Sequence, residues 1–187
     1  MTWLAAGSIP LAGVYHWTWS DVPDPMYQGY VCSHGTFAQL GAVSVEGRSA
    51  LPSTAADSPY YDEFTAQEQA YSFTSSRAAA EALAKITNGA RGCAAIASNA
   101  TAPGVHQTAV GPRSAAFAVY PTPVTAQGFG GAVRETHEYL AQHGPLIAVV
   151  DVVTATSTGT PSQLYLNNVR DQSVLDALTA SLSGSAG

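Results

Sequence analysis

Apolar and polar positions along this chain change period several times, and those changes mark its elements. Val14–Trp19 alternates as a strand does, with Tyr15, Trp17 and Trp19 on one face and Val14, His16 and Thr18 on the other. Asp21-Val-Pro-Asp-Pro then breaks the pattern, because proline disfavours helix at the residue before it. Thr36–Leu40 reads as a short helical turn leading into a strand at Ala42–Glu46, and Leu51–Tyr61 as a Ser/Pro/Ala-rich loop. Glu68–Phe73 is the next strand. Thr74-Ser-Ser offers caps for a helix over Arg77–Thr87, whose apolar stripe is Ala78, Ala82, Leu83 and Ile86. Asn88-Gly89 is expected to end that helix by supplying left-handed backbone.

Val105–Val110 and Ser114–Tyr120 read as strands joined through a Gly111-Pro112 turn, with Pro121 and Pro123 closing the second. Gln127-Gly-Phe-Gly-Gly is read as flexible, Leu146–Thr154 as a strand and Thr156–Ser162 as a polar loop. Asp171 is expected to cap a last helix that buries Val174, Leu175, Leu178 and Leu182. Val133–Gln142 fits two periods. As a helix it shows a stripe at Ala132, Thr136, Tyr139 and Leu140; as a strand it runs through a His143-Gly144 hairpin turn into Leu146. The hairpin is the reading adopted. The whole is one α+β domain over residues 1–187, long enough to bury a core without a metal.

That hairpin places chemistry. With Gln142 opposite Pro145, Thr136 faces Asp151 and His137 faces Val150. Period two then puts Glu135, His137 and Tyr139 on one face, and Arg134, Thr136 and Glu138 with Asp151 on the other. A carboxylate, an imidazole and a phenol along one strand suit acid–base work or ligand binding. Against this stands an ordinary solvated strand face, with Arg134 and Asp151 as a diagonal ion pair. Asp151 interrupts an apolar strand and needs a partner, a hydrogen bond or a proton. Trp17 and Tyr30, with Tyr15, Trp19 and Tyr27, either line a cleft or fill the core.

Composition narrows the function classes. Seven basic residues in 187 and a net charge of −6 leave no basic stripe for phosphates, so nucleic acid is excluded as a partner. No apolar run reaches the roughly 18–20 residues of a membrane span. The start, Met1-Thr-Trp-Leu-Ala-Ala-Gly, lacks the basic and apolar regions of a signal peptide. A mature exported portion and a cytoplasmic protein both fit it. Glycine-rich phosphate loops, nucleophile elbows and His-Glu-x-x-His are absent, and the five histidines show no metal spacing, so no cofactor and no metal are expected.

Two cysteines, Cys32 and Cys93, without a Cys-x-x-Cys pair argue against a zinc ribbon or a redox motif. A single long-range disulfide in an oxidising compartment is one reading; two buried thiols in a cytosolic protein is the other.

Several of these segments together resemble the PknH-like extracellular sensor domains of actinobacteria, found on receptor kinases and as free-standing lipoproteins. They are Tyr71-Ser-Phe-Thr-Ser-Ser-Arg-Ala-Ala-Ala-Glu-Ala, Arg91-Gly-Cys93, Gly111-Pro-Arg-Ser-Ala-Ala-Phe-Ala-Val, His143-Gly-Pro-Leu-Ile-Ala-Val-Val and Gln172–Leu182, with His16-Trp17 and Cys32. The resemblance implies a bent antiparallel sheet flanked by helices, with a cleft for a small-molecule ligand, outside the cytoplasm. Family members commonly carry four cysteines where this chain has two.

The sequence reading is thus an extracytoplasmic sensor-like domain taking a small apolar or amphipathic molecule, with Trp17, Tyr30, Glu135, His137 and Tyr139 as candidate contacts. Its rival is a cytoplasmic, cofactor-free cyclase, isomerase or hydrolase of actinobacterial specialised metabolism, with Glu135, His137 and Asp151 as candidates. A third reading is a module whose aromatic N-terminal segment docks on a protein partner.

Overall fold

The computed structural model describes residues 2–10, 12, 16–26, 29, 32, 35–53, 63–97, 104–123, 133–156 and 170–184. Seven strands form one antiparallel sheet: β1 (His16–Asp21), β2 (Ala42–Ser53), β3 (Glu63–Phe73), β4 (Val105–Gly111), β5 (Ser114–Pro123), β6 (Val133–His143) and β7 (Leu146–Thr156). Their spatial order is β1-β2-β3-β7-β6-β5-β4, so the sheet is open, with β1 and β4 at its edges. α1 (Ser76–Ala97) joins β3 to β4, and α2 (Asp171–Ser183) follows β7. The fold class is α+β, as expected.

Side-chain alternation gives each helix its own face of the sheet. One face carries Ala66, Tyr139, Ala141, Ala148, Val150 and Val152 and packs against Val174, Leu175, Leu178 and Leu182 of α2. The opposite face carries Tyr71, Phe73, Phe117, Leu140, Ile147 and Val149 and packs against Ala79, Ala82, Leu83 and Ile86 of α1. The abundance of alanine lets these layers approach closely, and burial of the larger side chains supplies most of the stabilisation at ~25 cal/mol per Å². A short turn, Phe37–Leu40, ends at Gly41 (φ 96°) and stacks Phe37 on Tyr71 with ring centroids 3.8 Å apart.

Several boundaries moved. α1 begins where expected, with the Ser75 hydroxyl accepting from the Ala78 amide at 3.1 Å, but it runs through Asn88-Gly89 to Ala97. A mid-helix glycine costs about 1 kcal/mol. That is less than the gain from burying Ile86 and Ala90, both fully enclosed on either side of the break. β2 is longer than the Ala42–Glu46 read from the pattern because it bridges β1 and β3 and is fixed from both sides. Pro121 and Pro123 fall inside β5, beside a register irregularity between Val119 and Thr122. The β4–β5 turn is Pro112-Arg113 rather than Gly111-Pro112. Residues 54–61, 127–131 and 157–162, read as loops, lie outside the described residues.

Candidate ligand site

The β6–β7 hairpin forms, with a turn one residue later than anticipated. His143 pairs with Leu146, leaving Gly144-Pro145 as the two central residues. Gly144 has φ 55°, which a type II′ turn needs at its first position, and the proline ring supplies the negative φ of the second. The pairing therefore slips by two: His137 faces Val152, Thr136 faces Val153, and Glu138 faces Asp151. An even slip keeps every side chain on its expected face while changing each neighbour.

On the α2 face, His137 and Tyr139 are both fully buried. The element above them is the start of α2, and its first residue, Asp171, reaches back to the sheet. The Tyr139 hydroxyl donates to Asp171 Oδ1 at 2.8 Å, and His137 Nδ1 lies 3.1 Å from both carboxylate oxygens. A carboxylate only accepts, so this contact places the proton on Nδ1. Asp171 does not cap its helix, contrary to the sequence reading; Arg170 occupies the N-cap position without a side-chain cap. Its placement inside the first turn still lets the carboxylate meet the positive end of the helix.

On the α1 face, Glu138 and Asp151 stand directly opposite each other across β6 and β7, and Gln67 of β3 is the neighbour of Asp151 on its other side. Burial pushes the Asp151 carboxyl up to about 7, with a carboxyl rather than a cation facing it. The Arg134–Asp151 diagonal is removed by the register: Arg134 pairs with Ala155, four residues along the strand from Asp151. Carboxyls opposed in this way can hold a proton near neutral pH.

Beside this row, Gln67 and Gln69 line a hollow of about 570 Å³, together with Gly47 and Arg48 of β2, Gly29, and Val22, Asp24, Pro25 and Met26. The Val22 amide donates to the Gly47 carbonyl at 3.0 Å, and the Gln69 amide donates to the Met26 carbonyl at 3.2 Å. Tyr71 donates its hydroxyl to Gln69, fixing which end of that amide accepts. Gly47 is required by close approach: a Cβ there would sit 3.0 Å from the Pro25 ring. Met26 is 82% exposed and gives the hollow an apolar rim over the Gln67 and Gln69 amides.

The remaining candidates are distributed. Trp17 is a core residue on the α2 face, its indole donating to the Pro10 carbonyl at 3.1 Å. Trp3 and Trp19 flank the Arg48 guanidinium, 5.2 and 4.0 Å from its carbon. Arg48 in turn binds Glu68 at 2.6 Å and the Leu4 carbonyl, while the Leu4 amide donates to Glu68. Burial raises the Glu68 carboxyl; the Arg48 hydrogen bond and charge and the Leu4 amide oppose that rise. Tyr30 and the side chains of Glu135 and Cys93 lie outside the described residues. The structure thus unites His137 and Tyr139 with Asp171, and leaves Trp17 and Asp151 elsewhere. Among the described residues no group of three or more His, Cys, Asp or Glu could hold a metal, no helix is long and apolar enough to cross a membrane, and no cysteine is free.

Gln67, Gln69, Glu68 and Asp171 were not singled out in the sequence as site residues. One signal was available. Gln67-Glu68-Gln69 is a polar run inside a strand, and such a run needs partners on both faces.

No protein-family model matches the chain, and no curated protein matches its sequence. Among solved structures it is similar to the extracellular domain of PknH from Mycobacterium tuberculosis, with a TM-score of 0.51 and 9% identity, covering 80% of this chain and 69% of that one. The likeness is one of fold. It supports a sensor-domain-like architecture for this chain and carries no residue roles across.

Proposed function

We propose that this chain is an extracytoplasmic, sensor-like domain that binds a small amphipathic molecule in the hollow between β2, β3 and Val22–Met26. The observation that carries the reading is the make-up of that hollow. At about 570 Å³ it falls in the range of small-molecule sites, and it joins an apolar rim at Val22, Pro25 and Met26 to the amides of Gln67 and Gln69. The fold it shares with an extracellular domain supports the compartment. A disulfide belongs to the same reading: Cys32 is not a free thiol, and Cys93 is the only other cysteine in the chain. His137 and Tyr139 act in this reading as positioning residues that hold α2 on the sheet, and Trp17 as core; Tyr30 and Glu135 remain candidate contacts.

The test is fluorescence titration with Nile red, a neutral amphipathic probe. Saturable binding that Met26→Glu weakens tenfold or more, at unchanged melting temperature, supports the site. Binding that is absent, or indifferent to Met26→Glu, overturns it.

A cofactor-free catalyst is favoured by one specific observation, the pairing of Asp151 directly opposite Glu138 across β6 and β7, where burial pushes the Asp151 carboxyl up. In that reading Asp151 exchanges a proton with a molecule held against Gln67. Mass spectrometry of bound small molecules after incubation separates the two: a ligand returned unchanged supports the sensor, a converted one the catalyst.

A further inference from the structure

We infer that a second small-molecule site lies between α1 and the β4–β5 hairpin, and that it takes a small carboxylate carrying a neighbouring hydroxyl or amino donor. The cavity there is about 240 Å³ and shares no lining residue with the hollow on β2 and β3. It is smaller than the usual range for drug-sized ligands, which limits the occupant to roughly amino-acid size.

Three features of its wall define the chemistry. Arg91, on α1, and Arg113, in the hairpin turn, both line it, and among the described residues no acidic side chain does. Arg91 is tethered through its Nε to Gln107 at 3.1 Å, and among the described residues its terminal nitrogens have no hydrogen-bond partner, so they can fork onto a carboxylate. In a chain of net charge −6, two arginines with no acidic neighbour among the described residues of the wall concentrate positive potential at one place. Leu83, Ala80 and the exposed Val110 supply apolar surface beside them.

The third feature is Gln142. Its side chain is only 3% exposed and borders the cavity, and its Oε1 is buried without a hydrogen-bond partner among the described residues. The amide cannot simply be turned round, because Nε2 donates to the Gly144 carbonyl; reversal would set two acceptors against each other. A buried acceptor fixed in this way calls for a donor. A ligand whose carboxylate meets the arginines and whose adjacent O–H or N–H reaches Gln142 satisfies both ends, with a short apolar side chain along Leu83. α-Hydroxy and α-amino acids share that chemistry.

The experiment is NMR titration of the whole chain with three isosteric probes: L-leucine, 2-hydroxy-4-methylpentanoate and 4-methylpentanoate, which lacks the donor. The expected result is that at least one of the first two shifts resonances of Arg91, Arg113 and Gln142, and binds tenfold or more tightly than 4-methylpentanoate. Which of the two binds distinguishes an amino from a hydroxy acid. Arg113→Gln, an exposed change that spares the fold, should weaken binding at least fivefold. Gln142→Leu should erase the preference for a donor while retaining carboxylate binding. No binding of any probe at 10 mM, equal affinity for 4-methylpentanoate, or indifference to Arg113→Gln each overturns the site.

Discussion

The Tyr139 hydroxyl donates to Asp171 Oδ1 at 2.8 Å, joining the middle of a central strand to the first turn of a helix that follows it by 32 residues. Both side chains are buried, and His137 completes the contact. A hydrogen bond to a buried carboxylate contributes more than a neutral one, and removing the carboxylate strands two donors.

Tyr139→Phe is therefore expected to destabilise the fold by about 1.5–3 kcal/mol. Asp171→Ala should cost more, about 3–5 kcal/mol, because it leaves both ring groups without their acceptor. Urea denaturation followed by circular dichroism measures both. His137→Ala should likewise lower stability; a variant as stable as the parent would show that this contact does not hold α2 in place.

The stability of the chain should depend on pH through Asp151. Its carboxyl rises from 3.8 to about 7 on folding, so the folded state holds an extra proton between those values. Stability then falls as pH rises from about 4 to about 7 and levels off above it. Asp151→Asn should flatten that slope and stabilise the protein at pH 8 by about 1–3 kcal/mol. Denaturation midpoints from pH 4 to 8 for both proteins check the sign; an unchanged slope would remove Asp151 as its source.

Arg48 and Glu68 clamp the N-terminal segment through Leu4. Glu68→Ala leaves the guanidinium sunk between two indoles without its counter-ion, at an expected cost of about 3–5 kcal/mol. Replacing both, Arg48→Met with Glu68→Leu, should recover much of that loss, because a buried pair gives little net stability over apolar packing. Tryptophan fluorescence should shift in either case, since Trp3 and Trp19 flank the charge.

The proposed Cys32–Cys93 disulfide would close a loop of about 60 residues and contribute about 2–4 kcal/mol. Cys93→Ser, or added reductant, should lower the melting temperature of the oxidised protein. Thiol alkylation with and without reductant, read by intact mass, decides the pairing independently. Two cysteines that react without reductant would move the balance toward a cytoplasmic catalyst.

Local period and turn chemistry were enough to place a strand through His16–Trp19, the cap at Ser75, the β6–β7 hairpin and the buried stripe of α2, because each is written in neighbouring residues. Alternation alone also separated His137 and Tyr139 from Glu138 and Asp151, and an even register slip left that sorting intact. The register itself was decided by Gly144-Pro145 acting as the turn, a choice between adjacent residues that packing resolves. Continuation of α1 past Asn88-Gly89 was likewise decided by the sheet beneath it, which offsets a local penalty the sequence shows plainly. The meeting of Asp171 with His137, and of Gln142 with a cavity walled by Arg91 and Arg113, joins residues more than 25 positions apart. Nothing local encodes such meetings; they follow from which strand lies beside which, and strand order is a property of the folded chain.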